Sequence, residues 1–278
     1  MRSGIGSRSS RLLIALVTLL TPFTTAAPPA QGAFAFHPVG AQAAGVGDLG
    51  VAHLQGAEGL FWNPSAVVFG KSRTLFSAID RPFELKALQS QAIAASLRRG
   101  RHGLGLTCEV FGFDLYRERV LGAVYGVRLS QRAGVAVAVR ALAVTVRGRQ
   151  SRQWMVLDLG TRVSLHDSVW WAITARNVSG VRAGILGQGG EMGLAIDLGQ
   201  GADLLVSVQK EAGVPTGFAL GIENAAAPGL VLRLGIGSQP ERLTAGLGLS
   251  RGWLALDYGG NWHSVLGLSH RLSLRVEK

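Results

Sequence analysis

The chain has 278 residues, 47% of them hydrophobic and only 16% charged, a balance that supports a packed fold and excludes a disordered chain. Its formal net charge of +11 comes chiefly from arginines spread singly along the sequence. Phosphate-binding chains gather their basic residues into patches, so this scatter excludes nucleic acid from the expected partners.

At the N-terminus, Arg2, Arg8 and Arg11 precede an apolar run from Leu12 to Leu20, followed by Thr21-Pro22 and the small residues Thr24-Thr25-Ala26-Ala27. A basic start, a short apolar stretch and a small-residue site predict a secretory signal peptide over residues 1–26. The apolar run is too short to cross a bilayer as a helix, and no later stretch of eighteen apolar residues exists. Cys108 is the single cysteine, which excludes an intramolecular disulfide and predicts an inert buried thiol.

Residues 33–70 precede any strand pattern and contain "EGLFWNPSAVVFG", Glu58 to Gly70, with Phe61 and Trp62 directly before Asn63-Pro64. Proline fixes its own φ and restricts the residue before it, so the chain turns here, and Asn63 is suited to bonding the backbone that the turn leaves unpaired.

From Arg73 onward one rhythm holds. Leu266, Leu268, His270, Leu272, Leu274 and Val276 alternate with Gly267, Ser269, Arg271, Ser273, Arg275 and Glu277, the period of two that marks a strand with one apolar face. Phe218, Leu220 and Ile222 repeat it, as do Leu232, Leu234 and Ile236, and the run from Leu243 to Leu249. Similar segments lie at 73–80, 88–97, 103–111, 117–129, 134–146, 154–165, 169–177, 191–198, 203–210 and 253–259, about fourteen strands in all.

The second face of these strands carries mostly Gly, Ala and Ser with isolated Arg, Glu and Asp, which suits a narrow and partly polar lumen. Together with an aliphatic outer band and a signal peptide, it predicts an all-β fold: an antiparallel transmembrane barrel of the bacterial outer membrane over residues 71–278. Residues 33–70 form an N-terminal plug segment inside it or beneath it. With the C-terminal strand ending in the periplasm, the turns near 130–132, 166–167, 199–202, 224–229 and 250–252 are periplasmic. The longer connections at 147–153 and 179–190 lie outside, in keeping with short periplasmic turns and longer outer loops. Phe61 and Trp62 are then expected to seat the Asn-Pro turn against the barrel wall.

The stretch "HPVGAQAAGVGDLGVAHLQGAEGLFWNPSAVV" resembles the entry segment of outer-membrane barrels of the FadL and PorV/PorQ type, with matching positions at Gly40, Ala41, Ala43, Gly45, Gly47, Phe61, Trp62, Asn63, Pro64 and Ser65. The run "GFDLYRERVLGAVYGVRLSQRAGVAVAVRAL" and the ending "HSVLGLSHRLSL" are similar to the PorV/PorQ-like subgroup. Gly56-Ala57-Glu58 stands where an acidic pair usually precedes the signature, and the chain is short for FadL itself; both differences favour the PorV/PorQ side. It also ends in Glu277-Lys278 where many barrels carry a terminal aromatic. The PorV/PorQ resemblance implies a non-enzymatic part in secretion or surface attachment of proteins by a type IX-like system, with secretion proteins or cargo as partners. The FadL branch implies instead passive uptake of hydrophobic small molecules, and a third reading is a structural barrel with a fixed plug.

Two enzyme-like motifs fail on context. Gly45-x-Gly47-x-x-Gly50 spells a dinucleotide fingerprint without the strand and helix it needs, so no cofactor is expected. Gly248-x-Ser250-x-Gly252 spells a nucleophile elbow but runs into another strand, and reads as a hairpin turn. The six histidines, His37, His53, His102, His166, His263 and His270, lack zinc-type spacing, so no metal is expected. His270 falls on the apolar face and is expected near the periplasmic end of the last strand.

Glu223, Arg233, Asp257, Arg271 and Arg275 fall on the lumenal face. They either line a permeation path or pair across the lumen and fill it. Trp154, Trp170, Trp171, Trp253 and Trp262 lie near strand ends, where rings belong at the headgroup level. Arg147, Arg149, Arg152 and Arg182, in outer connections, are suited to lipopolysaccharide phosphates.

Overall fold

The computed structural model describes residue 34 and residues 36–181 and 186–278. The expected signal peptide and Arg182 lie outside the described residues. Fourteen strands, each antiparallel to its neighbours, form one closed barrel in which the first pairs with the last. They are β1 (Arg73–Arg81), β2 (Ser90–Arg99), β3 (His102–Phe113), β4 (Tyr116–Ser130), β5 (Ala133–Val146), β6 (Arg152–His166) and β7 (Val169–Arg176). The second half comprises β8 (Gly189–Gly199), β9 (Ala202–Glu211), β10 (Gly217–Ala227), β11 (Leu230–Ser238), β12 (Glu241–Arg251), β13 (Leu254–His263) and β14 (Gly267–Glu277). Closure is sealed by reciprocal backbone bonds between Arg73 and Lys278, at 3.0 and 2.9 Å.

The wall is inside out relative to a soluble barrel. Leu75, Ile93, Leu106 and Met155 are 55, 58, 64 and 65% exposed, whereas Arg233 and Asp257 are 3 and 2% exposed. Period two puts the aliphatic set outward and the polar set inward, and only a lipid surround rewards that arrangement. No helix among the described residues is long and apolar enough to cross a membrane.

The two rims differ. At the rim that holds Arg73 and Lys278, here the lower rim, every connection has two residues: 100–101, 131–132, 167–168, 200–201, 228–229 and 252–253. Most upper connections are longer, with 82–89, 147–151, 177–188 and 212–216 the largest, while 114–115 and 239–240 also have two residues. The expected turn at 224–229 narrows because β10 continues to Ala227 through a register shift between Ala225 and Ala227. Three consecutive alanines carry no alternation, so this extension has no sequence signal.

Strand parity corrects several side-chain placements. Trp154 and Trp170 share parity with the buried Val156 and Ala172 and face inward, Trp154 packing edge-on against Phe34 at 6.0 Å and Trp170 against Phe69 at 5.4 Å. Trp262 faces outward and Trp253 lies in the lower β12–β13 turn; they are 53 and 63% exposed. Cys108 is half-buried and shares the outward side with its register partners Ile93 and Leu121, so the expected buried thiol is not found. His270 pairs with Arg81 and lies at the upper rim, not the lower, within 3.4 Å of Glu84.

Residues 39–70 are almost entirely buried and contain two short helices, α1 (Ala41–Gly45) and α2 (Gly56–Gly59), followed by a 3-10 turn over Pro64–Val68. Helix α1 packs on β11 to β14, α2 on β1 to β3, and the 3-10 turn on β2 to β6. The segment thus touches the inner wall around much of its circumference.

Candidate functional site

The Asn-Pro turn is built as its residue types require. Pro64 opens the 3-10 turn, and the Asn63 Oδ1 accepts from the Ser65 N–H at 2.9 Å and from the Ser65 hydroxyl at 2.8 Å. The Asn63 Nδ2 donates to the Val51 carbonyl at 3.2 Å within the segment and to the Thr161 carbonyl of β6 at 3.1 Å. One amide therefore closes the turn and ties it to the wall. The aromatic pair divides differently from expectation. Phe61 does meet the wall, 5.9 Å from Phe76 of β1. Trp62 instead forms the segment's own core with Ala43 and Leu54, and its indole N–H donates to the Val39 carbonyl at 2.9 Å.

The glycine series has a steric explanation. A Cβ on Gly45 would lie 2.8 Å from the Gly246 Cα, and one on Gly50 would lie 2.2 Å from the Trp62 ring. Gly47 has φ +90 and faces the Ile236 backbone, a conformation and an approach that a side chain disfavours. What spells a dinucleotide fingerprint is a small helix against a glycine-lined barrel wall, followed by a glycine that leaves room for the Trp62 ring.

The lumenal charges form two clusters. In the first, Arg233 pairs with Glu223 and, at 2.7 Å, with Asp257; Arg275 lies 3.8 Å from Asp257 and 2.9 Å from Glu58 of α2. Arg275 also donates to the Gln42 amide oxygen, and the Gln42 amide nitrogen lies 3.0 Å from the His53 Nε2. In the second, Arg271 pairs with Asp48 and, at 2.9 Å, with Asp80, while Arg242 reaches Asp48 at 3.2 Å. Both clusters join the wall to the N-terminal segment through Gln42, Asp48, His53 and Glu58, which sequence reading did not place among the lumenal charges. Glu58 is fully buried, and burial pushes its carboxyl up to about 7, the nearby Arg275 offsetting this only in part.

His53, Asp203 and Glu223 bring ligand-type atoms within 4.8 Å of one another. Spacing along the chain gave no hint of this grouping, because it joins the segment to paired positions on β9 and β10. The His53 Nε2 is 3.3 Å from Glu223, whose other oxygen is held by Arg233.

Above the segment the lumen holds a cavity of about 590 Å³. Phe34, Phe36, His37, Phe61, Phe83 and Phe111 supply its aromatic lining, and upper-rim residues such as Pro82, Pro215 and Pro240 reach into its wall. His37 stacks on Phe111, with ring centroids 4.4 Å apart at 19°, and burial holds its imidazole below the usual value against the pull of Glu118 and Asp80. Arg176 lies 3.6 Å above the Phe36 ring. Of the five lumenal residues singled out from sequence, Arg271 lines this cavity; Glu223, Arg233, Asp257 and Arg275 do not, being absorbed in ion pairs. The aromatic lining escaped sequence reading because most of it comes from the segment and the upper connections, where no period applies.

No family model matches the chain, and no curated protein does. Solved structures do. The chain is similar to the monoaromatic hydrocarbon channel CymD, with a TM-score of 0.66 and 11% identity over 88% of this chain and 99% of that one. It is similar to the toluene transporter TodX of Pseudomonas putida, with a TM-score of 0.63 and 10% identity over 88% of this chain and 98% of that one. A FadL homologue of Pseudomonas aeruginosa matches with a TM-score of 0.59 and 9% identity over 86% of this chain and 98% of that one. At these identities the likeness is one of fold, and it points to the FadL branch of the resemblance, with nothing that singles out PorV/PorQ. By fold the chain is a closed fourteen-stranded antiparallel barrel like those of the FadL-type outer-membrane proteins.

Proposed function

We propose that the protein is a non-enzymatic conduit of the bacterial outer membrane through which hydrophobic small molecules pass without energy input. The observation that carries this reading is the aromatic-lined cavity of about 590 Å³, held inside a barrel whose outer band is aliphatic. A pocket of that size and character suits a ligand of one or two rings. The fold shared with a monoaromatic hydrocarbon channel and a toluene transporter supports the same class of cargo. In this reading residues 36–70 act as a plug beneath the cavity, the lower rim is periplasmic, and the ion pairs of Glu58 and Asp48, with the contact between His53 and Glu223, hold the plug in place. The secretion role implied by the PorV/PorQ resemblance has no counterpart among the similar structures named above, and passive uptake stands before it.

The test is uptake of radiolabelled toluene by outer-membrane-intact cells that lack other hydrophobic channels, with and without the barrel. Uptake several-fold faster with the barrel is expected. Equal rates would leave a structural barrel with a fixed plug as the better account.

A further inference from the structure

The cavity's charges are unevenly paired. Each cation lining it has a partner: Arg140 with Asp158 at 2.5 Å, Arg176 with Glu191 at 3.6 Å, Arg242 with Asp48 at 3.2 Å, and Arg271 with Asp80 at 2.9 Å. Lys210 donates to the Val214 carbonyl at 2.7 Å. Among the lining carboxyls, Glu118 is satisfied without a cation, by the Phe34 N–H at 3.1 Å and the Tyr116 hydroxyl. Glu109 is different. It faces the lumen from β3, its Oε1 has no hydrogen-bond partner among the described residues, and the nearby cation, Arg140, is already engaged by Asp158.

Two residues further along the same inward face stands Phe111, with His37 stacked on it. Positions i and i+2 of a strand are about 6.6 Å apart, close to the span between the ring and the nitrogen of a short arylalkylamine. A carboxyl in an aromatic site whose nearby cation is shared with another carboxyl is costly, and a ligand cation lowers that cost while gaining from the ring faces. A neutral arene leaves the carboxyl unmatched. An aryl carboxylate meets cations that are already engaged and adds a like charge beside Glu109 and Glu118.

We infer that the cavity selects small aromatic molecules carrying a protonated amine, with the ring seated against Phe111 and His37 and the ammonium received by Glu109. This rests on the conduit reading and sharpens its substrate class. It also gives the barrel a cation-accepting lumen although the chain as a whole is strongly basic.

The test uses the purified full barrel in detergent and in liposomes, with 2-phenylethylamine, ethylbenzene and 3-phenylpropanoate as probes. The wild type is expected to bind the amine more tightly than the acid. Glu109→Gln is expected to weaken amine binding about tenfold or more, the loss that follows removal of a hydrogen bond to a charged group. Glu109→Asp, which keeps the charge, retains most of the amine binding and serves as the control if the Gln variant loses its heat-modifiable gel migration. Equal amine binding in the wild type and Glu109→Gln, loss of amine binding in a folded Glu109→Asp barrel, or tighter binding of the acid would overturn the proposal. Glu109-dependent amine binding without flux of any probe would keep the site and reject the conduit.

Discussion

The side chain of Asn63 joins two structures at once, donating to the Thr161 carbonyl of β6 at 3.1 Å while accepting from the Ser65 N–H at 2.9 Å. Asn63→Ala removes both bonds and leaves buried backbone groups unmatched, at about 1–3 kcal/mol each. The barrel should keep its heat-modifiable migration while residues 36–70 become sensitive to added protease. Digestion indistinguishable from wild type would show that this amide does not hold the segment.

Arg275 faces Glu58 at 2.9 Å in a site where Glu58 is wholly shielded from solvent. Arg275→Met strands that carboxyl, an uncompensated burial worth about 3–5 kcal/mol, and Glu58→Gln in the same chain should recover much of the loss. A double-mutant cycle in urea measures the coupling, and additive effects would deny the pair its role.

The same carboxyl predicts a pH dependence. Burial raises Glu58 to about 7 in the folded state, above its unfolded value, so the native protein binds this proton more tightly than the unfolded chain does. Its contribution to stability is present at acid pH, falls as pH rises from the ordinary carboxyl range, and is lost above about 7. Glu58→Gln should flatten that part of the stability profile. A profile with the same slope in both proteins would assign the titration to another group.

Close approach of α1 to the wall predicts that Gly45→Val, whose Cβ meets the Gly246 Cα at 2.8 Å, unseats the segment. In planar bilayers this variant should show larger or more frequent conductance steps than the wild type. Gly252→Ala, where nothing lies within 4 Å, should behave as the wild type apart from the strain of a positive φ. Identical conductance in Gly45→Val would mean that the segment does not control the lumen.

The outward tryptophans Trp253 and Trp262 mark the lower and upper rims, while Trp62, Trp154 and Trp170 face the interior. In single-tryptophan variants, lipids brominated near the headgroup should quench the first two strongly and the other three weakly. Equal quenching of both sets would contradict the assigned faces.

Arg147 and Arg149 are exposed in the β5–β6 connection and Arg152 opens β6 at the upper rim. If they meet lipopolysaccharide phosphates, replacing all three with glutamine should reduce the lipopolysaccharide that co-purifies with the barrel. An unchanged amount would remove lipopolysaccharide as their partner.

Strand number and the lumenal face of Glu223 and Arg233 were legible in the chain; that the two stand opposite each other was not. Period two is imposed residue by residue when one face meets lipid and the other a polar lumen, whereas register depends on the turn, and the bulge between Ala225 and Ala227 leaves no period to read. The tryptophans show the limit of reading position without parity: Trp154 and Trp170 lie near strand ends, as headgroup anchors do, yet their phase sends them inward.

Sequence alone thus determined a closed antiparallel barrel with an aliphatic outside and a turn at Asn63-Pro64. Tertiary structure alone decided where the segment before that turn runs, which lumenal charges it neutralises, and which carboxyl it leaves unpaired. The difference is physical. Alternation records a local choice between two solvents, whereas the meeting of Glu58 with Arg275, of Gly45 with Gly246, and of His37 with Phe111 depends on shape fit between parts of the chain far apart in sequence.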